Sequence, residues 1–367
     1  MPKNIFINDT AATTGGALTV LRQLLDYIKD KDKTNNYFVF CTADLFSYNN
    51  NNLRIINVKG KKKIDRLYWD NFGMKRWSTT AGIKADVILS LQNTGVKYFK
   101  NTKQIVYIHQ SIPFERDLKW SLFKRGERAC WFYKYVYEYF IRSSIDDKTM
   151  VVVQQQWMKS AVMQRFNLNE KNIRVIPPSK SSINFNEIQE VKLDNSKLNL
   201  FYPAAAIIYK NHKVLLEAIA LLREKEEEVF NKVNLILTIK EEELTKEMKK
   251  IIDTYQLKNK IEFLGYIAYE KVYSYYKSCS ALLFPSYMES FGLPLLEAAK
   301  FGLPIIAAKR DYSLEALDGY SGVKYVSYNS KEEWCCEIIR LSHDKNCKYE
   351  SYEVNNPDSY GKIIDLF

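Results

Sequence analysis

The stretch FPSYMESFGLPLLEAAKFGLPIIAA, residues 284–308, decides how the rest of the chain is read. It opens where an apolar strand ends, at Phe284-Pro285, and places a carboxylate, Glu289, before a tight Ser290-Phe291-Gly292 turn. Leu293 and Pro294 then open a helix, proline being pre-set in φ for a first helical position. Gly292 permits a backbone twist that turns several N–H groups toward one point. Together with the positive end of the helix dipole, those donors make an anion site at the carboxyl end of a strand. Glu297 follows eight residues after Glu289, in the first turn of the helix, so both carboxylates are expected to face one crevice. A carboxylate beside a phosphate site is costly unless it accepts hydrogen bonds, and ribose and sugar hydroxyls would supply them. Taken singly, each glutamate also reads as an ordinary solvated loop or helix-start charge.

Short apolar, β-rich runs alternate with helical stretches on both sides of this segment. In the second half, strands are read at 198–203, 233–239, 260–264, 281–285, 303–308 and 323–328. Helices fall between them at 211–224, 241–254, 269–277, 294–301 and 331–341. The first half repeats the pattern, with strands at 3–8, 37–41, 53–58, 86–90, 104–109, 149–153 and 173–176, and helices notably at 16–29 and 118–142. Such alternation implies an α/β chain whose parallel sheets are covered by helices on both faces. After Pro177-Pro178 comes the aperiodic polar run SKSSINFNEIQEVKLDNSK, which reads as a linker. The expected organisation is a Rossmann-like domain over 1–178, a linker over 179–197, a second Rossmann-like domain over 198–350, and a tail over 351–367 that packs back on the first domain. A length of 367 residues fits two domains.

Composition removes several function classes. With 46% hydrophobic and 26% charged residues the chain is not a disordered one. No apolar run approaches the ~18 residues of a spanning helix. The N-terminal MPKNIFINDT carries only a three-residue apolar stretch, unlike a secretory signal, so a cytoplasmic location is expected. Six cysteines form no C-x-x-C pair, and His109, His212 and His343 lie far apart, so neither a disulfide framework nor a metal motif is read. Net charge is +11, unevenly spread: residues 1–180 hold 30 basic and 15 acidic residues, the remainder 24 and 28. The basic half should meet an anionic substrate or an anionic membrane surface. Nucleic acid is disfavoured as a partner by the acidic second half, although a pI of 9.1 alone would permit it.

The E-x7-E string from Glu289 to Glu297, with the G-L-P-I-I strand behind it, resembles the motif of family 4-type retaining glycosyltransferases with the GT-B fold. The resemblance is strong from about 260 to 308 and weaker in the first half. It implies two Rossmann-like domains facing a central cleft, with the acceptor on the side of the first and the nucleotide sugar held by the second. It also implies a nucleotide diphosphate sugar as donor, a glycan or lipid-linked glycan as acceptor, retention at the anomeric carbon, and no metal or other cofactor. A metal-dependent GT-A enzyme would need an Asp-x-Asp at a strand end, whereas Asp30-Lys31-Asp32 sits in the polar tail of a helix.

By that resemblance, Glu297 would bind ribose hydroxyls and Glu289 the donor sugar or the charge developing near it. Backbone N–H groups around Ser290, Phe291, Gly292 and Leu293 would hold the phosphates with Lys210, which follows the first strand of the second domain. Family members usually carry an arginine some five residues before that lysine, where this chain has Ala204, Ala205 and Ala206. His212 or a basic residue of the first half would have to stand in. Gly15-Gly16 opens an amphipathic helix with apolar residues at 18, 21, 24, 25 and 28, and resembles the family's glycine-rich loop between donor diphosphate and acceptor. His109 ends the strand QIVYIHQ and matches the family's cleft histidine, with Gln110 where an acidic residue often follows. A sugar-nucleotide epimerase or hydrolase of the same fold, and a catalytically silent partner subunit, are the alternatives.

Residues 118–142, LKWSLFKRGERACWFYKYVYEYFIR, are basic and densely aromatic. They read either as a core-packed helix with a solvated basic face or as an interfacial element on anionic lipid. In the second reading the aromatic positions 131, 132, 135 and 139 lie at headgroup depth, with Lys119, Lys124, Arg125, Arg128 and Lys134 toward the lipid charges. GKKK at 60–63 and KRW at 75–77 would extend the patch, and the enzyme would work as a peripheral protein on the inner face of the cytoplasmic membrane.

Overall fold

The computed structural model describes the chain apart from residues 14, 59–62, 100, 179–186, 345–347 and 354–357. It divides into two compact units, 1–180 together with 356–367, and 181–355. Among the described residues the first unit holds seven strands: β1 (Asn4–Asp9), β2 (Asn36–Cys41), β3 (Leu53–Asn57), β4 (Val87–Ser90), β5 (Lys103–Ile108), β6 (Met150–Val153) and β7 (Ile173–Val175). They pair in parallel in the order β3-β2-β1-β4-β5-β6-β7. The side-chain period of two sends Ile5 and Ile7 into one core with Leu21, Leu24 and Leu25 of helix Gly15–Lys31. Phe6 points the other way, its ring 5.3 Å from Phe40, while Phe40 lies 4.9 Å from Trp77. Strands buried on both faces need such apolar runs.

The second unit holds β8 (Leu198–Tyr202), β9 (Val233–Leu237), β10 (Ile261–Phe263), β11 (Ala281–Phe284), β12 (Ile305–Ala308) and β13 (Val323–Val326). Their order, β10-β9-β8-β11-β12-β13, is again parallel throughout and again reverses direction beside the first strand of the unit. Residues 188–191 are fastened to this unit: Val191 N donates to Ser278 Oγ at 2.9 Å, and Lys277 Nζ to the Ile188 carbonyl at 3.0 Å. That part of the expected linker is therefore part of the second unit, while 179–186 lie outside the described residues.

Helix Ser359–Ile364 belongs to the first unit, with Tyr360 and Ile363 buried in the same core as Ile5 and Leu24. Asp358 caps it by accepting from Gly361 N at 2.8 Å, and Tyr360 donates its hydroxyl to Gln23 Oε1 at 2.9 Å. An apolar pair and a cap thus hold it, each of a kind worth about 1 kcal/mol or more.

Three expectations need correction. The helix read over 118–142 begins only at Arg128 and runs to Ser143 through a π-turn at Tyr133–Tyr137. Gly126 weakens a helix there, and the Glu127 carboxylate instead accepts from Ser121 N at 2.8 Å, folding the chain back. Lys134, counted among the outward cations, is buried and donates to the Leu118 carbonyl. The helix read over 241–254 starts at Lys246, where Thr245 accepts from Met248 N at 3.2 Å as its cap. Lys63 of GKKK and the KRW at 75–77, read as extending the basic patch, lie in a helical stretch over 63–81 that passes through a second π-turn and stops at Gly82, whose φ is +67°. Of that stretch Trp77 is core, while Lys75 and Arg76 are exposed. The 60–62 portion of GKKK lies outside the described residues.

Candidate active site

β8 and β11 are the neighbours at which strand order reverses in the second unit, and a crevice opens outside the carboxyl ends of such strands. The turn after β8 carries Lys210 and ends at Asn211, which sits in the left-handed region at φ +57°. Asparagine tolerates that conformation. Its buried amide donates to the Pro285 carbonyl at 3.2 Å and the Tyr328 carbonyl at 2.7 Å, tying this turn to the loops after β11 and β13. Tyr202 adds a hydroxyl bond to the Lys210 carbonyl at 2.7 Å. On this fixed base the Lys210 ammonium pairs with the Glu289 carboxylate, both largely buried at 18% and 16% exposure.

The loop bearing Glu289 is braced from below. Tyr287 N donates to the Tyr209 carbonyl at 2.7 Å, and Tyr312 donates its hydroxyl to the Ser286 carbonyl at 2.8 Å. Gly292 has φ +81°, and a Cβ there would stand 3.2 Å from Leu295 Cδ1 and 3.3 Å from Tyr312 Cδ2. The left-handed φ favours glycine here, and any Cβ would also need the Leu295 and Tyr312 side chains to give by a few tenths of an ångström. At the start of helix Leu293–Lys300, Pro294 has no N–H and Leu295 N already donates to the Gly292 carbonyl at 2.9 Å, so N–H donors for an anion must come from the turn residues before Pro294. Of the four residues expected at this turn, Phe291 is buried and packs inward, Ser290 is half-buried, and Leu293 is exposed at 42%.

Glu297 is placed differently from expectation. It is the fifth residue of its helix rather than part of the first turn, and is 8% exposed. Tyr269 and Tyr276 donate to its two carboxylate oxygens, Tyr276 at 3.2 Å, while Tyr273 donates to the Tyr269 hydroxyl at 2.8 Å. Burial pushes the carboxyl above the usual carboxylate range, and the tyrosine hydroxyls oppose that rise. The two glutamates therefore hold separate partners, Lys210 for one and a tyrosine cluster for the other. Tyr269, Tyr273 and Tyr276 share one face of helix Tyr269–Ser278, and their i, i+4, i+7 spacing was the signal available in the sequence. Ile207, Ile208, Tyr266 and Tyr269 expose large apolar surface along the same edge of the sheet, Tyr266 at 93%.

His212 does not supply the missing cation. It is 4% exposed, its ring centroid 4.8 Å from that of Tyr202, and burial pushes its imidazole down to about 4. It is neutral at physiological pH. Ala205 and Ala206 are exposed, and nothing charged stands in their place.

In the first unit Gly15 and Gly16 begin the helix that follows β1, Thr14 lying outside the described residues. His109 follows β5, and its N–H and that of Gln110 both donate to Asn93 Oδ1, at 2.8 and 2.9 Å. Burial, helped by the Arg66 charge, pushes the His109 imidazole down to about 4, so it too is neutral. Beside it lies a buried polar cluster that sequence reading missed. Asp70 accepts from Asn8 at 3.0 Å and Gln92 at 2.6 Å, and Arg66 donates to the Gln92 carbonyl at 2.7 Å. Its members come from three separate segments with no shared period, which left no local signal.

Residues 184–356 match the family model of glycosyl transferases group 1. Over that stretch the chain is similar to the group 1 glycosyltransferases. The match spans Lys210, Glu289, Glu297 and their tyrosine partners, whereas Gly15, Gly16 and His109 precede it. The O-antigen chain mannosyltransferase RfbU of Salmonella typhimurium is 23% identical to this chain over 263 residues, covering 69% of each. Among solved structures, Anabaena HepE in complex with UDP and glucose aligns with a TM-score of 0.65 at 15% identity, covering 100% of both chains. WaaG, a glycosyltransferase involved in lipopolysaccharide biosynthesis, aligns with a TM-score of 0.67 at 13% identity and 99% coverage of both. The fold of this chain is GT-B.

Proposed function

We propose that this enzyme moves a hexosyl-type sugar from a nucleotide diphosphate donor to a glycan or lipid-linked glycan in surface-polysaccharide synthesis, with retention at the anomeric carbon and without a metal. The observation that carries this reading is the Lys210–Glu289 pair, set on a glycine-dependent turn at the switch point of the second sheet. A cation and the turn's N–H groups there suit a diphosphate, and a carboxylate beside them suits sugar hydroxyls. RfbU and WaaG are named for O-antigen and lipopolysaccharide work, and HepE was solved with UDP and glucose, which supports the donor and acceptor classes.

In this mechanism Lys210 and the Ser290–Leu293 backbone stabilise the leaving diphosphate. Glu289 supports the donor sugar, Glu297 takes the ribose hydroxyls in exchange for Tyr269, and neutral His109 orients the sugar by hydrogen bonding. The departing phosphate takes the acceptor's proton, so no side chain acts as general base. The test is a screen of purified protein against UDP- and GDP-sugars with EDTA present, reading nucleotide release. Turnover with one donor is expected; binding to none would favour a silent partner subunit, and donor loss without any acceptor would favour a hydrolase or epimerase.

Docking on the inner face of the cytoplasmic membrane is part of the same proposal. Among the described residues no helix is long and apolar enough to cross a membrane. Phe123 is 90% and Tyr139 72% exposed in the basic aromatic segment, with Lys119, Lys124, Arg125 and Arg128 exposed near them. Rings at headgroup depth with cations beside them bind anionic bilayers. Replacing Lys124, Arg125 and Arg128 with Ser is expected to cut sedimentation with phosphatidylglycerol vesicles at least ~5-fold, at about 1 kcal/mol per cation. Sedimentation that is unchanged, and insensitive to raised salt, would remove the membrane from the proposal.

A further inference from the structure

A polar crevice of about 540 Å³ opens among the amino ends of β1, β2 and β3, in the first unit. That volume is in the range of small-ligand sites. It lies roughly 17 Å, the length of β1, from the turn that carries Gly15 and Gly16, so it is not part of the site at the carboxyl ends of the strands. We propose that this crevice binds an anionic oligosaccharide, whose acid groups meet Arg54 and Lys84 and whose hydroxyls meet the asparagines between them.

The asparagines are pre-set as acceptors. Asn4 Nδ2 donates to the Lys84 carbonyl at 3.1 Å, and Asn36 Nδ2 to Asn4 Oδ1 at 3.2 Å, which leaves Asn36 Oδ1 open. Asn52 commits its amide hydrogens to the Asp32 and Asn35 carbonyls, at 3.0 and 2.9 Å, so its Oδ1 is open too. Two carbonyl oxygens fixed in this way suit the donating hydroxyls of a sugar. Arg54, on β3, and Lys84, beside the start of β1, are exposed, and among the described residues neither charge has a hydrogen-bond or ion-pair partner. At least two strand spacings, roughly 10 Å, separate their backbones, which suits a ligand with more than one negative group. The carboxylates nearby in the chain are engaged elsewhere, Asp32 by Tyr37, Thr34 and Asn35, and Asp86 by the Asn4 N–H. Other polyanions fit less well. Tyr37 and Phe38 line the crevice but are buried, so neither ring stands out for a nucleic-acid base to stack on. None of the exposed large apolar side chains lines it, as docking on lipid would require. In an enzyme that extends a glycan, the crevice would hold the polymer away from its reacting end; that use rests on the proposed function, whereas the binding itself does not.

The test titrates tetragalacturonate, its methyl ester, inorganic phosphate and oligothymidylate into the unaltered protein, Arg54→Gln, Lys84→Gln and Lys103→Gln, at low salt. Lys103 is exposed at the start of β5, on the same edge of the sheet but outside the crevice, and serves as the control. Tetragalacturonate is expected to bind the unaltered protein and Lys103→Gln alike. Loss of one charge-assisted contact should weaken it about 10-fold in Arg54→Gln and in Lys84→Gln, and esterification should weaken it at least as much. Were Arg54→Gln to melt early, Lys84→Gln still decides. Equal affinity across the variants, no binding of tetragalacturonate, or binding no tighter than that of phosphate overturns the assignment. Oligothymidylate bound equally tightly overturns it in favour of nucleic acid. UDP and GDP are titrated in parallel: failure to bind either counts against the functional reading and leaves the crevice result standing.

Discussion

Glu289→Gln is expected to cut sugar transfer about 10²–10³-fold in kcat while making the protein bind the bare nucleoside diphosphate more tightly, by about 3–10-fold. The two changes run in opposite directions because the proposed mechanism gives Glu289 two tasks. Without ligand its carboxylate occupies the Lys210 ammonium in a largely buried pair. A diphosphate must take the lysine away from it, and a neutral glutamine releases the cation at little cost in shape. Transfer depends on the other task, holding negative charge beside the sugar as its anomeric centre becomes positive, and glutamine cannot do that. Isothermal titration with the diphosphate and kcat at saturating donor separate the two. A loss of diphosphate affinity that parallels the loss of kcat would show that the ion pair only shapes the loop.

Glu297→Gln is expected to weaken binding of the intact donor by at least ~30-fold, with a smaller effect on kcat once donor saturates. Ribose hydroxyls donate, and an ionised carboxylate accepts about twice as strongly as an amide. The amide also presents N–H groups where Tyr269 and Tyr276 both donate, so one hydroxyl is left facing a donor. Melting temperature should also fall, by several degrees, since Glu297 and Tyr276 are buried and one polar group loses its partner. Unchanged donor affinity would mean that Glu297 serves only the tyrosine cluster. Tyr269→Phe separates the cases further: freeing one carboxylate oxygen should not weaken the donor if ribose takes that oxygen.

The doubly wound architecture was legible because buried parallel strands demand short, continuous apolar runs, and NIFIND, VILS, MVVV and ALLF are such runs. The position of Glu289, Gly292 and Lys210 in the turns that follow β11 and β8 was legible from the strand–helix alternation, and the roles assigned to them came from the resemblance of the E-x7-E string. The bonding of Glu297 to the tyrosine helix and the buried Asp70 network were not legible. Their partners come from helices and loops far apart in sequence, so only tertiary packing brings them together. The helix expected to start at 118 failed for a local reason instead, a carboxylate that bonds back to Ser121 and stops the turn from propagating. His212 was misjudged as a cation because its burial against Tyr202 cannot be read from a polar-looking KNHK sequence.

The return of helix Ser359–Ile364 to the first unit sets an order of assembly during synthesis. About 180 residues separate β7 from this helix, and at roughly 5–20 residues per second they take about 10–40 s to emerge from a ribosome. Throughout that interval the first unit has its sheet but lacks Tyr360 and Ile363, so apolar surface at Ile5, Leu24 and Tyr107 waits uncovered. The second unit, contiguous from 181 to 355, can finish before the first does. The half that begins translation is thus the half that folds last, and its final step is the docking of one short helix.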